Sequence, residues 1–153
     1  MSRELDPSRY HSIVTHHPLL DNTLDLVDFI CVNLYVGWYN DYNVKPAEVG
    51  KVIDNIWDRI ENDEEVGGIK PLVISEFGAE AIPGYKSFEN AHWSETYQYD
   101  LLQTYIRIMM DKGNIAGSII WHFQDFRVSP HGGFLRSEER RVGKECRSRC
   151  ATY

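Results

Sequence analysis

The run Lys70-Pro-Leu-Val-Ile-Ser-Glu-Phe-Gly-Ala-Glu80 constrains the fold more than any other stretch. Leu72, Val73 and Ile74 follow one another with no polar residue between them. A strand with one wet face alternates apolar and polar side chains, because successive residues point to opposite faces. Three apolar residues in succession therefore describe a strand buried on both sides, as in a parallel sheet covered by helices. The run ends in Ser75 and Glu76, followed by Phe77 and Gly78. A carboxylate at the C-terminal end of a buried parallel strand lies where α/β barrels build their active sites. Read alone, Glu76 is more simply an ordinary surface carboxylate at a strand end. The rest of the chain has to decide.

Its neighbours supply the alternation such a sheet needs. Glu4 to Tyr10 reads as a helix end running into a turn at Asp6-Pro7, and His11 to His16 as a short strand. Leu24 to Val27 suits a turn of helix, and Asp28 to Tyr35 a strong strand, apolar until it meets Asn33. From Lys45-Pro46 to about Asn62, Val49, Val52, Ile53, Ile56, Trp57 and Ile60 recur at helical spacing and form a core stripe. Residues 63–68 form an acidic, solvated loop, and the strand Leu72 to Ser75 follows. After a long loop from Gly78 to Trp93, Ser94 caps a second helix reaching about Lys112, with Leu101, Leu102, Tyr105, Ile106, Ile108 and Met109 as its apolar surface. Asn114 to Trp121 is the last strand. Strand, strand, helix, strand, helix, strand implies parallel βα units with right-handed crossovers. Four strands are too few to close an eight-stranded barrel of about 250 residues. No repeat and no linker divides the chain.

Charge narrows the partners. The formal net charge is -7, which argues against nucleic acid or an anionic membrane surface. No apolar run approaches the roughly 20 residues needed to cross a bilayer, and Met1-Ser-Arg-Glu-Leu-Asp is no signal peptide. The expected location is cytoplasmic, although the native N-terminus is expected to lie upstream. Nine Tyr and four Trp suit stacking on flat ligands such as sugar rings, as well as ordinary cores. Cys31, inside an apolar strand, reads as a buried thiol; with Cys146 and Cys150 it gives neither a disulfide framework nor a zinc site. The pair His16-His17 lacks a companion ligand set at suitable spacing, so a solvated or hydrogen-bonded pair is the better reading than a metal.

Chemistry collects at three strand ends. Asn33 and Tyr35, two apart, share a face of an extended segment and offer an amide and a phenol, with Trp38 and Tyr39 just beyond. Turn polar groups with packed aromatics explain them equally well. Glu76 is a carboxylate of the kind a retaining glycosidase uses as nucleophile, with a second carboxyl about 5 Å away as acid/base. Glu80 lies out in the loop, where a structural role is the simpler one. Trp121 ends the last strand with a flat face suited to a sugar, or simply caps a core.

Three motifs in order, Asn33-Leu-Tyr-Val-Gly-Trp-Tyr39, Ile74-Ser-Glu-Phe-Gly-Ala-Glu80 and Ile120-Trp-His-Phe-Gln-Asp-Phe126, resemble those of glycoside hydrolase family 2, and within it the β-glucuronidases. The resemblance covers roughly residues 1–128. It implies an α/β fold, a partial (β/α)8 TIM barrel of parallel strands, roughly strands 5–8, occupying residues 1–135. It implies that Glu76 is the nucleophile of a retaining, double-displacement hydrolysis of β-glycosides and that Tyr35 hydrogen-bonds it. Asn33 and Tyr39 would line the sugar site, and Trp121 would form part of its floor. The family's acid/base Glu belongs to an Asn-Glu pair on an earlier strand, so no residue here takes that role and this chain alone is expected to be inactive. The Asn-x-Lys motif that reads the glucuronate carboxylate is not found in Ser129-Pro-His-Gly-Gly-Phe-Leu135. A galactosidase, a mannosidase or a non-catalytic sugar-binding relative therefore stays open. The chemistry requires no cofactor and no metal; the expected partner is a carbohydrate substrate, and a homo-oligomeric parent is compatible with the sequence without being fixed by it.

From Arg136 the chain resembles the in-frame translation of a widely used short-read sequencing adapter, so residues 136–153 are expected to be a non-native, disordered tail. That tail holds six basic and three acidic groups, leaving residues 1–135 with 10 and 20 and a formal charge of -10.

Overall fold

The computed structural model describes residues 2–39 and 44–122. The first helix, α1, is a single turn over Ser2–Leu5. It ends at Asp6-Pro7, where the Asp6 carboxylate accepts from the Ser8 amide (3.0 Å) and hydroxyl (2.6 Å) and forms an Asx-type turn. Four strands follow: β1 (Ser12–Thr15), β2 (Phe29–Asn33), β3 (Leu72–Phe77) and β4 (Ile115–Ile120). They pair in sequence order into one sheet, and every pairing is parallel. A parallel ladder sets all the strand C-termini along one edge, which is where Asn33, Tyr35 and Glu76 fall.

Two helices form the outer layer. A 3-10 turn over Pro46–Glu48 leads into α2 (Val49–Asn62), Pro46 occupying the first turn, where its missing N–H costs nothing. Val49, Ile53, Ile56 and Ile60 are the buried stripe of α2, while Val52 and Trp57 pack at its margin. The other helix, α3 (Glu95–Lys112), starts where Ser94 Oγ accepts from the Tyr97 amide (3.1 Å), and ends at Gly113 in the left-handed region. Leu101, Tyr105 and Met109 point into the core, and Tyr105 stacks on Phe77 of β3 with ring centroids 5.4 Å apart. One hydrophobic cluster joins these residues to Ile30, Val32, Leu72 and Ile74 of the sheet. Lys112 reaches Asp54 and ties the end of α3 to α2.

The strand expected to stop at Ser75 runs on to Phe77. The cause is an irregularity in the ladder. Ile74 pairs with Val32, but the next residue of β2, Asn33, pairs with Glu76, so Ser75 is the extra residue. Phe77 then pairs with Ile120 of β4. Such a bulge re-aims side chains at a sheet edge. Leu72 and Ile74 are fully buried against the helices, whereas Val73 is only half-buried among the described residues.

The segment over residues 63–68 contains a 3-10 turn, Glu64–Val66, at whose start the Glu65 amide donates to the Asp63 carboxylate (2.9 Å). Arg59 bonds that same carboxylate (3.0 Å) and the carbonyls of Pro18 and Asp21, so the acidic run begins with a structural anchor rather than a merely solvated group. Leu24–Leu26 is a 3-10 turn. Cys31 is buried, as expected, and accepts from Ser12 Oγ (3.2 Å). His16 and His17 are exposed, and the described residues contain no cluster of three metal-ligating side chains. Among them, no helix is long and apolar enough to cross a membrane. Residues 40–43, 123–126 and 129–135, together with the tail from 136 that contains Cys146 and Cys150, lie outside the described part.

Candidate active site

The C-terminal edge of β2 and β3 brings two of the expected residues into direct contact. Tyr35 Oη donates to Glu76 Oε2 at 2.8 Å, across 41 positions of sequence. The ladder prepares this meeting. Asn33 is in register with Glu76, and the Leu34 amide donates to the Glu76 carbonyl at 2.8 Å, so the chain leaving β2 stays bound to β3 one residue past the strand. Ser75, the bulged residue, donates its hydroxyl to Asn33 Oδ1 at 2.7 Å. That bond commits the amide oxygen of Asn33 and leaves its NH2 group as the free donor end. Ser75 went unassigned in the sequence because a bulge has no sequence mark of its own.

Beyond Leu34 the chain turns tightly, with the amides of Trp38 and Tyr39 donating to the Tyr35 carbonyl (3.0 and 3.4 Å). Gly37 makes the turn possible. Its φ is +82°, and a Cβ there would lie 2.9 Å from the backbone nitrogen of Pro46. The Tyr39 ring lies 4.9 Å from that of Tyr35 and is 63 % exposed, a wet aromatic face beside the phenol that holds Glu76. Trp38, by contrast, is buried. Its ring packs 4.9 Å from His92 and 4.8 Å from Trp93, so this part of the aromatic loop is core and not ligand surface.

Electrostatics suit a phenol that donates. Burial, and then the hydrogen bond to Glu76, push the Tyr35 phenol far above the ordinary tyrosine value. It therefore keeps its proton at neutral and mildly alkaline pH.

Trp121 follows β4, and its amide donates to the Phe77 carbonyl at 2.9 Å, so it stands beside the residue that follows Glu76. The ring is 45 % exposed. Here the backbone sets the geometry: a Cβ on Gly78 would run into the Trp121 carbonyl oxygen, so only glycine lets the two chains come this close. Asn33, Tyr35, Tyr39, Glu76 and Trp121 thus occupy the C-terminal ends of three adjacent parallel strands. Glu80 stands four residues past Glu76 in the following loop, half-buried.

Several residues that hold this edge in place carried no site signal in the sequence. Tyr105 Oη donates to the Val36 carbonyl (2.8 Å), and Tyr97 Oη and His92 Nε2 (3.1 Å) both meet the Gly37 carbonyl. Gln98 Nε2 donates to the Ala79 carbonyl at 2.7 Å and is buried, which pins the loop just after Glu76 to α3. Tyr105 reads from sequence as a core residue, which it also is.

The family model described as "Glycosyl hydrolases family 2, TIM barrel domain" matches residues 1–136. Among characterised proteins, the β-glucuronidase of Streptococcus agalactiae is 32 % identical over 134 residues, covering 83 % of this chain and 21 % of its own length. The β-glucuronidase of Canis lupus familiaris is 34 % identical over 148 residues, covering 93 % of this chain and 21 % of its own. Among solved structures, a family 2 β-galacturonidase from Eisenbergiella tayi bound to galacturonate superposes with a TM-score of 0.75 at 31 % identity, over 86 % of this chain and 22 % of that one. A β-D-glucuronidase of Dictyoglomus thermophilum gives 0.74 at 26 % identity, over 90 % and 23 %. The chain therefore spans about a fifth of the length of the curated relatives it matches. Its four parallel strands are a part of a (β/α)8 barrel, and the chain belongs to the TIM barrel domain of glycosyl hydrolase family 2.

Proposed function

We propose that this chain carries the nucleophile half of a retaining β-glycosidase site that acts on hexuronic acid glycosides, and that Glu76 is that nucleophile. The observation that carries the reading is the bond between Tyr35 Oη and Glu76 Oε2 at the C-terminal edge of a parallel sheet. One carboxylate oxygen is held by a donor that stays protonated, which leaves Oε1 to attack. The Glu76 carboxylate forms a bond to the anomeric carbon as the bond to the leaving oxygen breaks, and that oxygen takes a proton from a general acid. The same group then removes a proton from water, the water oxygen bonds to the anomeric carbon, and Glu76 departs as a carboxylate. The acid/base is supplied by a strand outside these 153 residues, so the chain by itself is inactive. Loss of a general acid costs roughly 10²–10⁴-fold in rate.

Asn33, with its NH2 group free to donate, and the exposed Tyr39 ring contact the sugar, while Trp121 supplies part of the floor beneath it. The uronic acid assignment is supported by the relatives named β-glucuronidase and by the solved β-galacturonidase bound to galacturonate. Residues 136–153 are read as a tail foreign to the barrel, and source DNA continuing unchanged through codon 136 would refute that.

The test is hydrolysis of aryl β-glucuronide, β-galacturonide and β-galactoside by the protein expressed from the complete gene, and by its Glu76→Gln form. Expected are turnover of a uronide and near-complete loss in the variant. A variant that keeps most of its activity would remove Glu76 from the mechanism. Preference for the neutral galactoside would overturn the uronide assignment alone.

A further inference from the structure

The loop that carries Tyr35 is held from the far side by groups that do not touch Glu76. We propose that Tyr97 and His92 are positioning residues for the Tyr35–Glu76 pair, acting by clamping the Gly37 carbonyl. This rests on Glu76 being the nucleophile. A carbonyl oxygen has two lone pairs, and at Gly37 both have partners: Tyr97 Oη, and His92 Nε2 at 3.1 Å. Because a carbonyl only accepts, Nε2 of His92 carries its proton here. The two donors come from different elements, His92 from the loop that follows β3 and Tyr97 from the first turn of α3.

The connection closes a circuit. Glu76 lies on β3, the loop after β3 brings His92 across to residue 37, and two residues before residue 37 the phenol of Tyr35 returns to Glu76. Trp38 fills the centre, its ring 4.9 Å from His92 and 6.2 Å from Tyr97, while the His92 and Tyr97 rings stand 4.2 Å apart, edge to face. The start of α3 is itself fixed: Ser94 Oγ donates to the Ala91 carbonyl (2.6 Å), and Glu95 bonds the Gly84 amide (2.8 Å). The clamp is therefore built on anchored backbone. Burial raises the Tyr97 phenol above its ordinary value, which keeps it a donor. A displacement of about 1 Å at a reacting group can cost on the order of 100-fold in rate, so small slack at Gly37 reaches the chemistry.

The test uses protein from the complete gene, with Tyr97→Phe, His92→Ala and the double variant. His92→Gln keeps an N–H donor, and Tyr99→Phe on the same helix serves as control, its hydroxyl accepting from Gln103 Nε2 (2.8 Å) on the exposed side of α3. Each single variant is expected to lower kcat roughly 10-fold with KM within about 2-fold, and the double roughly 100-fold. His92→Gln should recover most of the loss and Tyr99→Phe should match the parent. Variants that all stay within about 2-fold of the parent, beside an inactive Glu76→Gln, would overturn the clamp and leave the nucleophile standing. A loss of kcat that merely follows a fall in melting temperature, with no recovery by His92→Gln, would also overturn it. If Tyr97→Phe does not fold, the His92 pair decides. An active Glu76→Gln would defeat the underlying reading, and the clamp with it.

Discussion

Removing one hydroxyl, by Tyr35→Phe, should separate the two steps of the proposed double displacement. The bond it deletes spans 2.8 Å and is made to a carboxylate in a part-buried setting. Hydrogen bonds to charged groups contribute roughly 1.5–3 kcal/mol. Water can partly replace the phenol at a half-buried site, which favours the lower end, about 1.5 kcal/mol. In the first step of the proposed reaction Glu76 would lose its charge as it bonds to the sugar, so the phenol would stabilise the starting state more than the transition state. Its deletion there removes orientation but also removes that stabilisation, and the two offset each other. In the proposed second step the carboxylate charge would return as the ester breaks, and the donor would be aimed at the charge that develops. Deglycosylation should therefore slow by roughly 10-fold, since each 1.36 kcal/mol is tenfold in rate. With an activated aryl uronide, the protein from the complete gene carrying Tyr35→Phe should show a burst of released phenol. Its kcat and KM should both fall, while kcat/KM, which reports the first step, changes by less. Mass spectrometry of the quenched reaction should find the sugar esterified on Glu76. Equal losses in both steps with KM unchanged, or no accumulation at all, would refute this account of the bond.

Other outcomes follow from the same geometry. Gly78→Ala places a methyl group against the Trp121 carbonyl, a backbone atom that cannot swing aside, so it should destabilise the β3–β4 edge by about 1–3 kcal/mol or more in a denaturant titration. A soluble variant of parental stability would show that the two backbones are not in fact so close. The Tyr35, Tyr97 and Tyr105 phenols are all raised, chiefly by burial. Their folded values lie above the unfolded tyrosine value of about 10, so their contribution to stability is complete below that pH and is lost as pH rises beyond it. Unfolding on alkaline titration should therefore coincide with late tyrosinate absorbance, and three phenols ionising reversibly near 10 in folded protein would contradict the burial described. Purified 1–153 should not hydrolyse any aryl glycoside, and measurable turnover that Glu76→Gln abolishes would mean that a second carboxyl is present after all.

Much of this architecture is legible from residue order alone. The stripe Val49–Ile60 and the cap at Ser94 follow from local periodicity or local hydrogen bonding and appear as expected; the apolar run Leu72–Ile74 is a strand as expected, with Leu72 and Ile74 buried and Val73 half-buried. The family motifs likewise mark Asn33, Tyr35, Glu76 and Trp121 as a group. Local rules could not place Ser75, because the bulge that gives it to Asn33 arises only when two strands are paired. Nor could they separate Trp38 from Tyr39. Adjacent aromatics in one loop read alike, yet one is buried against His92 and Trp93 and the other is exposed.

The division has a physical reason. Strand and helix identity depends on contacts a few residues apart, so the sequence by itself determined the βα order, the buried stripes and the strand end that bears the carboxylate. The Tyr35–Glu76 bond spans 41 positions and the Gly37 clamp reaches 55 and 60 positions along the chain. Those pairings exist only once a parallel sheet has brought its strand ends to one edge and α3 has packed across them. Only the tertiary structure decided which oxygen of Glu76 is held, and which side chains hold the loop that holds it.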